Sequence, residues 1–131
     1  MLRKVDWAEQ FKVRLSKTDA SMDLHDVIKI LVVRKIIRKC SNKEWLRIYT
    51  EFEISEGKLI PDIYVENIKE KSIICYEIQK KLGNDYINRK TKEYNESDVP
   101  YFNSIDLIII PLKDCPDKIS EIDKWLDDYV I

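Results

Sequence analysis

An α/β domain built around one mixed sheet is the fold that this sequence predicts. Three observations carry that expectation. Residues 45–54 and 72–79 have strand character, residues 22–40 and 117–131 place apolar side chains at helical spacing, and residues 105–110 form a nearly continuous apolar run. The 131 residues suit one domain with a real core, with no need of disulfide staples. Hydrophobic residues are 44% and charged residues 36%, which excludes a disordered or low-complexity chain. The expected organisation is therefore a single domain over 1–131, with a core from 22 to 112 and a closing helix at 117–131.

The elements follow in order. Residues 1–20 are mixed, and Val5, Trp7 and Phe11 suit either a short helix or an extended arm. Ser21, or the Asp19-Ala20-Ser21 run, can cap the helix expected over 22–40. There Leu24, Val27, Ile28, Leu31 and Val32 share one face, with Asp23 and Asp26 at the positive end and Arg38 and Lys39 at the negative end. Residues 45–54, WLRIYTEFEI, alternate as a half-buried strand does, with Leu46, Ile48, Thr50, Phe52 and Ile54 on one face. SEGK at 55–58 turns the chain about Gly57. A second strand is expected over 59–65, with Pro61 marking an edge or a bend. A polar turn at 66–71 then leads to a third strand over 72–79, SIICYEIQ. After Gly83-Asn84, a helix over 85–97 carries Ile87, Arg89, Lys90 and Tyr94, and Pro100 closes that region. IDLIII at 105–110 suits a central strand buried on both faces. The last helix repeats Ile119, Ile122, Trp125, Leu126 and Tyr129 and is acidic outside. The expected order is helix, three-stranded meander, helix, strand, helix.

Several function classes drop out. With only Gly57 and Gly83, there is no phosphate-cradling loop and no dinucleotide fingerprint, so no nucleotide cofactor is expected. Cys40, Cys75 and Cys115 form no CxxC pair, and the only histidine is His25, so thiolate or histidine zinc sites are not expected. His25 reads as a partly exposed helix residue. The N-terminus does not look like a signal peptide and no apolar run would span a bilayer, so a cytoplasmic protein is expected, or one in a host cell interior if a virus or plasmid encodes it. The net charge of −1 hides an asymmetry: residues 1–50 hold 12 Lys or Arg against 6 Asp or Glu, and residues 93–131 hold 3 against 10. Lys35, Arg38, Lys39, Lys43 and Arg47 can follow a phosphate backbone or simply form a solvated surface.

The chemistry concentrates in IPDIYVENIKEKSIICYEIQK, residues 60–80. If the hairpin closes about its polar turn, residues near Ile60–Asp62 face residues near Cys75–Glu77, and Asp62 and Glu77 converge. Two converging carboxylates suit a hard ion such as Mg²⁺ or Mn²⁺, which can assist phosphodiester hydrolysis. Gln79 lies on the same strand face as Glu77 and can orient a water or donate to a phosphate oxygen.

This pattern resembles the PD-(D/E)xK nuclease superfamily, which includes restriction endonucleases and Holliday junction resolvases. The resemblance spans roughly residues 22–112 and rests on Pro61-Asp62 and on Glu77-Ile78-Gln79, in an ExQ form where most members have ExK. It implies a metal-dependent DNA endonuclease of restriction endonuclease-like fold. Asp62 and Glu77 match its metal ligands, and an earlier glutamate, Glu51 or with a lean Glu53, would join them. Gln79 stands at the lysine position, with Lys80 adjacent and Lys90 on the next helix able to reach back. Arg89 and Lys92 would contact phosphates. DNA is the implied partner, a homodimer is plausible, and repair or recombination are the processes such enzymes serve. The alternative is a catalytically inactive nucleic-acid-binding or assembly module on the same fold.

Overall fold

The computed structural model describes residues 11–12, 24–54, 59–80, 83–97 and 104–130. The expected cap at Ser21, the pivot at Gly57, Val5, Trp7 and Pro100 lie outside the described residues, and of Phe11 only the backbone is described. A small α/β domain results, a mixed sheet flanked by helices, in a coarse restriction-enzyme-like arrangement. Its elements are β1 (Phe11–Lys12), α1 (Leu24–Lys39), β2 (Leu46–Thr50), β3 (Ile63–Asn67), β4 (Ser72–Gln79), α2 (Asn84–Asn95), β5 (Ser104–Pro111) and α3 (Ile119–Leu126). The sheet order is β1-β2-β3-β4-β5, antiparallel through the β2-β3-β4 meander and parallel at β1-β2 and β4-β5. The helix α2 lies on the crossover from β4 to β5, as a parallel pair requires.

The sheet alternation separates two packing layers. Ile48, Ile63, Val65, Tyr76, Ile78 and Ile110 pack with Ile28, Leu31, Val32, Val33 and Ile36 of α1 and with Ile122 and Leu126 of α3. Ile28 and Val32 are fully buried, each contributing roughly 1.5–3 kcal/mol through apolar burial. Tyr64, Ile73 and Cys75 point the other way and pack with Tyr94 of α2. One sheet face thus holds α1 and α3, and the other holds α2.

Four expectations are corrected. The first meander strand stops at Thr50, not at residue 54, because Glu51 turns into the left-handed region with φ 54°. Phe52 consequently leaves the buried row and leans over Tyr64, with ring centroids 4.6 Å apart, while Ile54 makes an isolated bridge to Leu59. The second strand runs over Ile63–Asn67 and not 59–65, because Pro61 has no N–H for a ladder and lies before the strand. Among the described residues the run at 105–110 forms the edge strand β5 rather than a central one: there it pairs with β4 alone, and Ile105, Leu107, Ile108 and Ile109 are only half-buried. Its apolar character reflects partial cover on both faces. Finally, Ile119, at the first turn of α3, is 67% exposed and outside the core. The residues at 1–20, expected as helix or arm, contribute the two-residue strand β1 beside β2.

The basic end of α1 is used within the fold. Lys35 Nζ lies 2.8 Å from Asp127 and 3.3 Å from Asp123, and Lys39 Nζ lies 2.7 Å from the Val130 carbonyl oxygen. The hydrogen bond to Asp127, helped by Asp123, raises the Lys35 pKa against the opposing effect of burial. Lys43 donates to the Cys40 carbonyl and Arg47 to the Glu44 and Leu46 carbonyls. Lys35→Ala is expected to lower stability by about 1–2 kcal/mol, through the loss of charge-assisted hydrogen bonds and buried stem. Arg38→Ala, at an exposed position, should change it by less than about 0.5 kcal/mol. Urea titrations of both variants check this, and equal effects would mean that Lys35 does not join α1 to α3. Cys40, Cys75 and Cys115 are free thiols, with Cys75 buried. Among the described residues no helix is long and apolar enough to cross a membrane.

Candidate functional site

The β3–β4 register places Ile63 opposite Tyr76. One step further outward sets Asp62 opposite Glu77, and two steps set Pro61 opposite Ile78. Pro61 has no N–H to exchange there, so the regular ladder ends. The Asp62 side chain takes over: its Oδ2 accepts the Ile78 N–H at 2.7 Å. This bond holds the aspartate across the strand end, against β4.

Glu77 is the group that the meander buries. It is 6% exposed, on the face of β4 that it shares with Cys75 and Ile73. Its Oε1 accepts a hydrogen bond from the hydroxyl of Tyr94 at 2.9 Å. Burial raises the Glu77 pKa to about 7, and the negative charge of Asp62 and a carboxyl–carboxyl hydrogen bond with it push the same way. The Tyr94 hydroxyl and the charge of Lys90 oppose the rise. Asp62 and Glu77 therefore face one another at the end of the β3–β4 hairpin. Tyr94 itself is fully buried, and burial followed by the Glu77 charge raises its pKa.

Two helices close on this pair. From α2, Tyr86, Lys90 and Tyr94 recur every four residues on one face. Lys90 Nζ is 3.9 Å from Glu93 Oε2 and 6.0 Å from the centre of the Tyr86 ring, and its charge reaches Glu77. The Tyr86 hydroxyl is raised by burial, then by Glu77 and Asp62. From the start of α1, His25 Nε2 lies 3.1 Å from Asp62 Oδ1, an ion-pair distance when the imidazole is protonated. One turn later Lys29, fully buried, meets Glu51 Oε1 at 2.7 Å.

The predicted site residues distribute as follows. Asp62 and Glu77 are together, and Lys90 is within electrostatic reach of them. Gln79 ends β4, half-buried and on the strand face of Glu77. Lys80 is just past the strand, exposed, and among the described residues no contact joins it to the pair. Glu53 lies beyond β2, exposed, and no contact among the described residues brings it to the pair either. Glu51 is turned toward Lys29. The sequence reads His25 as a partly exposed helix residue and gives Tyr86 no role, and the structure sets His25 against Asp62. The four-residue spacing of Tyr86, Lys90 and Tyr94 was available as a signal, but nothing local to His25 announces Asp62.

Among the described residues no group of three His, Cys, Asp or Glu side chains is disposed to hold a metal ion. A pair is nonetheless a donor set that suits Mg²⁺, which keeps several waters and takes one or two carboxylates together with substrate phosphates. A cation beside Asp62 and Glu77 would also offset the repulsion that helps raise the Glu77 pKa. Comparisons with protein-family models, curated proteins and solved structures return no match for this chain.

Proposed function

We propose that this chain is a Mg²⁺- or Mn²⁺-dependent DNA endonuclease of the PD-(D/E)xK kind. The observation that carries the reading is the meeting of Asp62 and Glu77 at the β3–β4 end, where burial and the charge of Asp62 disfavour a bare Glu77 carboxylate. Asp62 and Glu77 would hold the ion. When bound, it would polarise a phosphoryl oxygen and make a water nucleophile available near neutral pH.

The other roles belong to the chain's own groups. The Ile78 N–H fixes one Asp62 oxygen, and the Tyr94 hydroxyl fixes one Glu77 oxygen, so both carboxylates keep their orientation before substrate arrives. Gln79, at the position of the family lysine, orients a water through its carbonyl or donates its amide to a phosphate oxygen. Lys90 supplies the positive charge that this lysine would otherwise bring, from the helix rather than the strand. Lys80, exposed at the strand end, contacts the leaving strand at most. Glu53, and alternatively Glu51, is the candidate for a third carboxylate; Glu51 is paired with Lys29 and Glu53 is exposed. A domain of this size has little surface for a separate clamp, which favours a homodimer, and the protein acts in the cytoplasm or a host cell interior.

A second reading, a nucleic-acid-binding module without turnover, is favoured by Gln79 in place of lysine. Cleavage of labelled DNA substrates in Mn²⁺ and Mg²⁺, by wild type and Asp62→Asn, separates the two. Metal-dependent cleavage confined to wild type is the expected result. Metal-independent binding with no cleavage of any substrate favours the module, and equal cleavage by both proteins removes Asp62 from the mechanism.

A further inference from the structure

α1 has two apolar stripes. Ile28, Leu31, Val32 and Ile36 pack into the core between the sheet and α3. Ile30, Val33, Arg34, Ile37 and Arg38 recur at steps of three and four on the side turned away from Ile28 and Val32. They line a shallow groove of about 300 Å³. Val33 is buried at its base, Ile37 is half-buried, and Ile30 is 37% exposed. Arg34 and Arg38 stand exposed on its border. The lysines of the same helix are engaged within the fold: Lys29 with Glu51, Lys35 with Asp127, and Lys39 with the Val130 carbonyl. Among the described residues Arg34 and Arg38 have no ion-pair partner. A complementary surface lies on α3. Glu121 is exposed one turn before Trp125, and Asp128 is exposed in the turn that closes the helix, where its N–H donates to the Trp125 carbonyl at 3.2 Å. The Trp125 ring between them is half-buried and meets Tyr129 edge-on, with centroids 5.3 Å apart. Lys124 is a hundred degrees round the helix from Trp125. Neither Glu121 nor Asp128 has an ion-pair partner among the described residues.

We propose that α1 of one copy of this chain docks on α3 of a second copy, with the indole of Trp125 seated between Ile30 and Ile37, and with Arg34 and Arg38 meeting Glu121 and Asp128. An apolar groove bordered by two cations and an aromatic ring bordered by two anions complement one another in shape and in charge. α1 and α3 lie on the same face of the sheet and are joined through Lys35. A two-fold axis therefore repeats the contact, because α3 of the first copy then meets α1 of the second. Tryptophan and arginine are the side chains that most often carry the energy of association, and here both occur on the docking faces without being spent on the fold. The contact gives the homodimer its surface, and it holds whether or not Asp62 and Glu77 cleave DNA.

The test is sedimentation velocity over a concentration series, with two charge-reversed variants beside wild type. One combines Arg34→Glu with Arg38→Glu, and the other combines Glu121→Arg with Asp128→Arg. All four positions are exposed, and circular dichroism checks that each variant folds. Wild type is expected to dimerise. Each variant alone should associate at least about tenfold more weakly, because it sets like charges against one another at both contacts. An equimolar mixture of the two variants should recover the dimer, because both of its contacts again join opposite charges. A wild type that stays monomeric throughout the series overturns the proposal. So does a dimer that neither variant weakens, which would place the interface on another face. Two weakened variants that fail to pair when mixed also overturn it, since α1 and α3 would then meet something other than one another. A monomeric wild type with metal-dependent cleavage would remove this dimer and leave the nuclease reading intact. Recovery of the dimer in the mixture, with no cleavage by wild type in any metal, would support the dimer and remove the nuclease reading.

Discussion

Glu77→Gln is expected to make the metal-free protein more stable at pH 8 by roughly 3 kcal/mol, while abolishing metal-dependent cleavage. The sign follows from the raised pKa. The folded protein holds a proton on Glu77 up to about pH 7, whereas the unfolded chain releases it near the ordinary 4.5. Its favourable contribution is thus complete below about pH 4.5 and is lost as pH rises through about 7. Two and a half units correspond to roughly 3 kcal/mol between those limits. Wild type should therefore lose stability from pH 5 to pH 8. Glutamine keeps an acceptor for Tyr94 and a donor for Asp62, never ionises, and removes that slope. A saturating divalent ion at pH 8 should recover the loss in wild type, by about 2.7 kcal/mol at a hundredfold excess over Kd, but not in Glu77→Gln. Denaturant titrations at pH 5, 6, 7 and 8, with and without Mn²⁺, measure all of this. Parallel pH curves for the two proteins would mean that Glu77 ionises freely and that no charge is held back at the strand end. A residue whose removal stabilises the fold and stops the chemistry is the signature of a site built at the expense of stability.

Asp62 has two duties, and two substitutions divide them. Asp62→Ala removes the acceptor of the Ile78 N–H, and Ile78 is 2% exposed with Pro61 unable to complete the ladder opposite. An unsatisfied buried N–H costs about 1–3 kcal/mol, partly offset because Glu77 loses its repelling neighbour. Asp62→Asn retains a carbonyl oxygen for the N–H and should keep the stability of wild type within about 1 kcal/mol. Both variants should lose cleavage by at least about a thousandfold, a barrier increase of roughly 4 kcal/mol. Unfolding midpoints and cleavage rates of the pair are the measurement. Cleavage preserved in Asp62→Asn would assign the aspartate to the strand end alone.

The positions of these residues were unevenly legible beforehand. Asp62 and Glu77 could be brought together because a meander with a polar turn at 66–71 forces facing positions, whatever the exact register. The strand boundaries could not be placed as well. The alternation WLRIYTEFEI continues through Glu51 and Phe52, but the backbone leaves the extended region at Glu51 and the pattern outlasts the strand. IDLIII suits a central strand because apolar runs are usually buried on both faces. Its edge position depends on what pairs with it, and no local pattern records that.

The sequence by itself determined the α/β class, the order of the elements, the two core helices, and the pairing of one aspartate with one glutamate across a hairpin. These are consequences of periodicity and of proline and turn chemistry, which act within a few residues. Only the tertiary structure decided what surrounds that pair. It brought His25 from α1 to Asp62, and Lys90 and Tyr94 from α2 to Glu77. It also paired Lys35 with Asp123 and Asp127, and Lys39 with the Val130 carbonyl. Side chains from opposite faces of the sheet meet at a strand end only after both layers have packed, and the burial and charge neighbours that raise the pKa of Glu77 do not exist in the chain until they do.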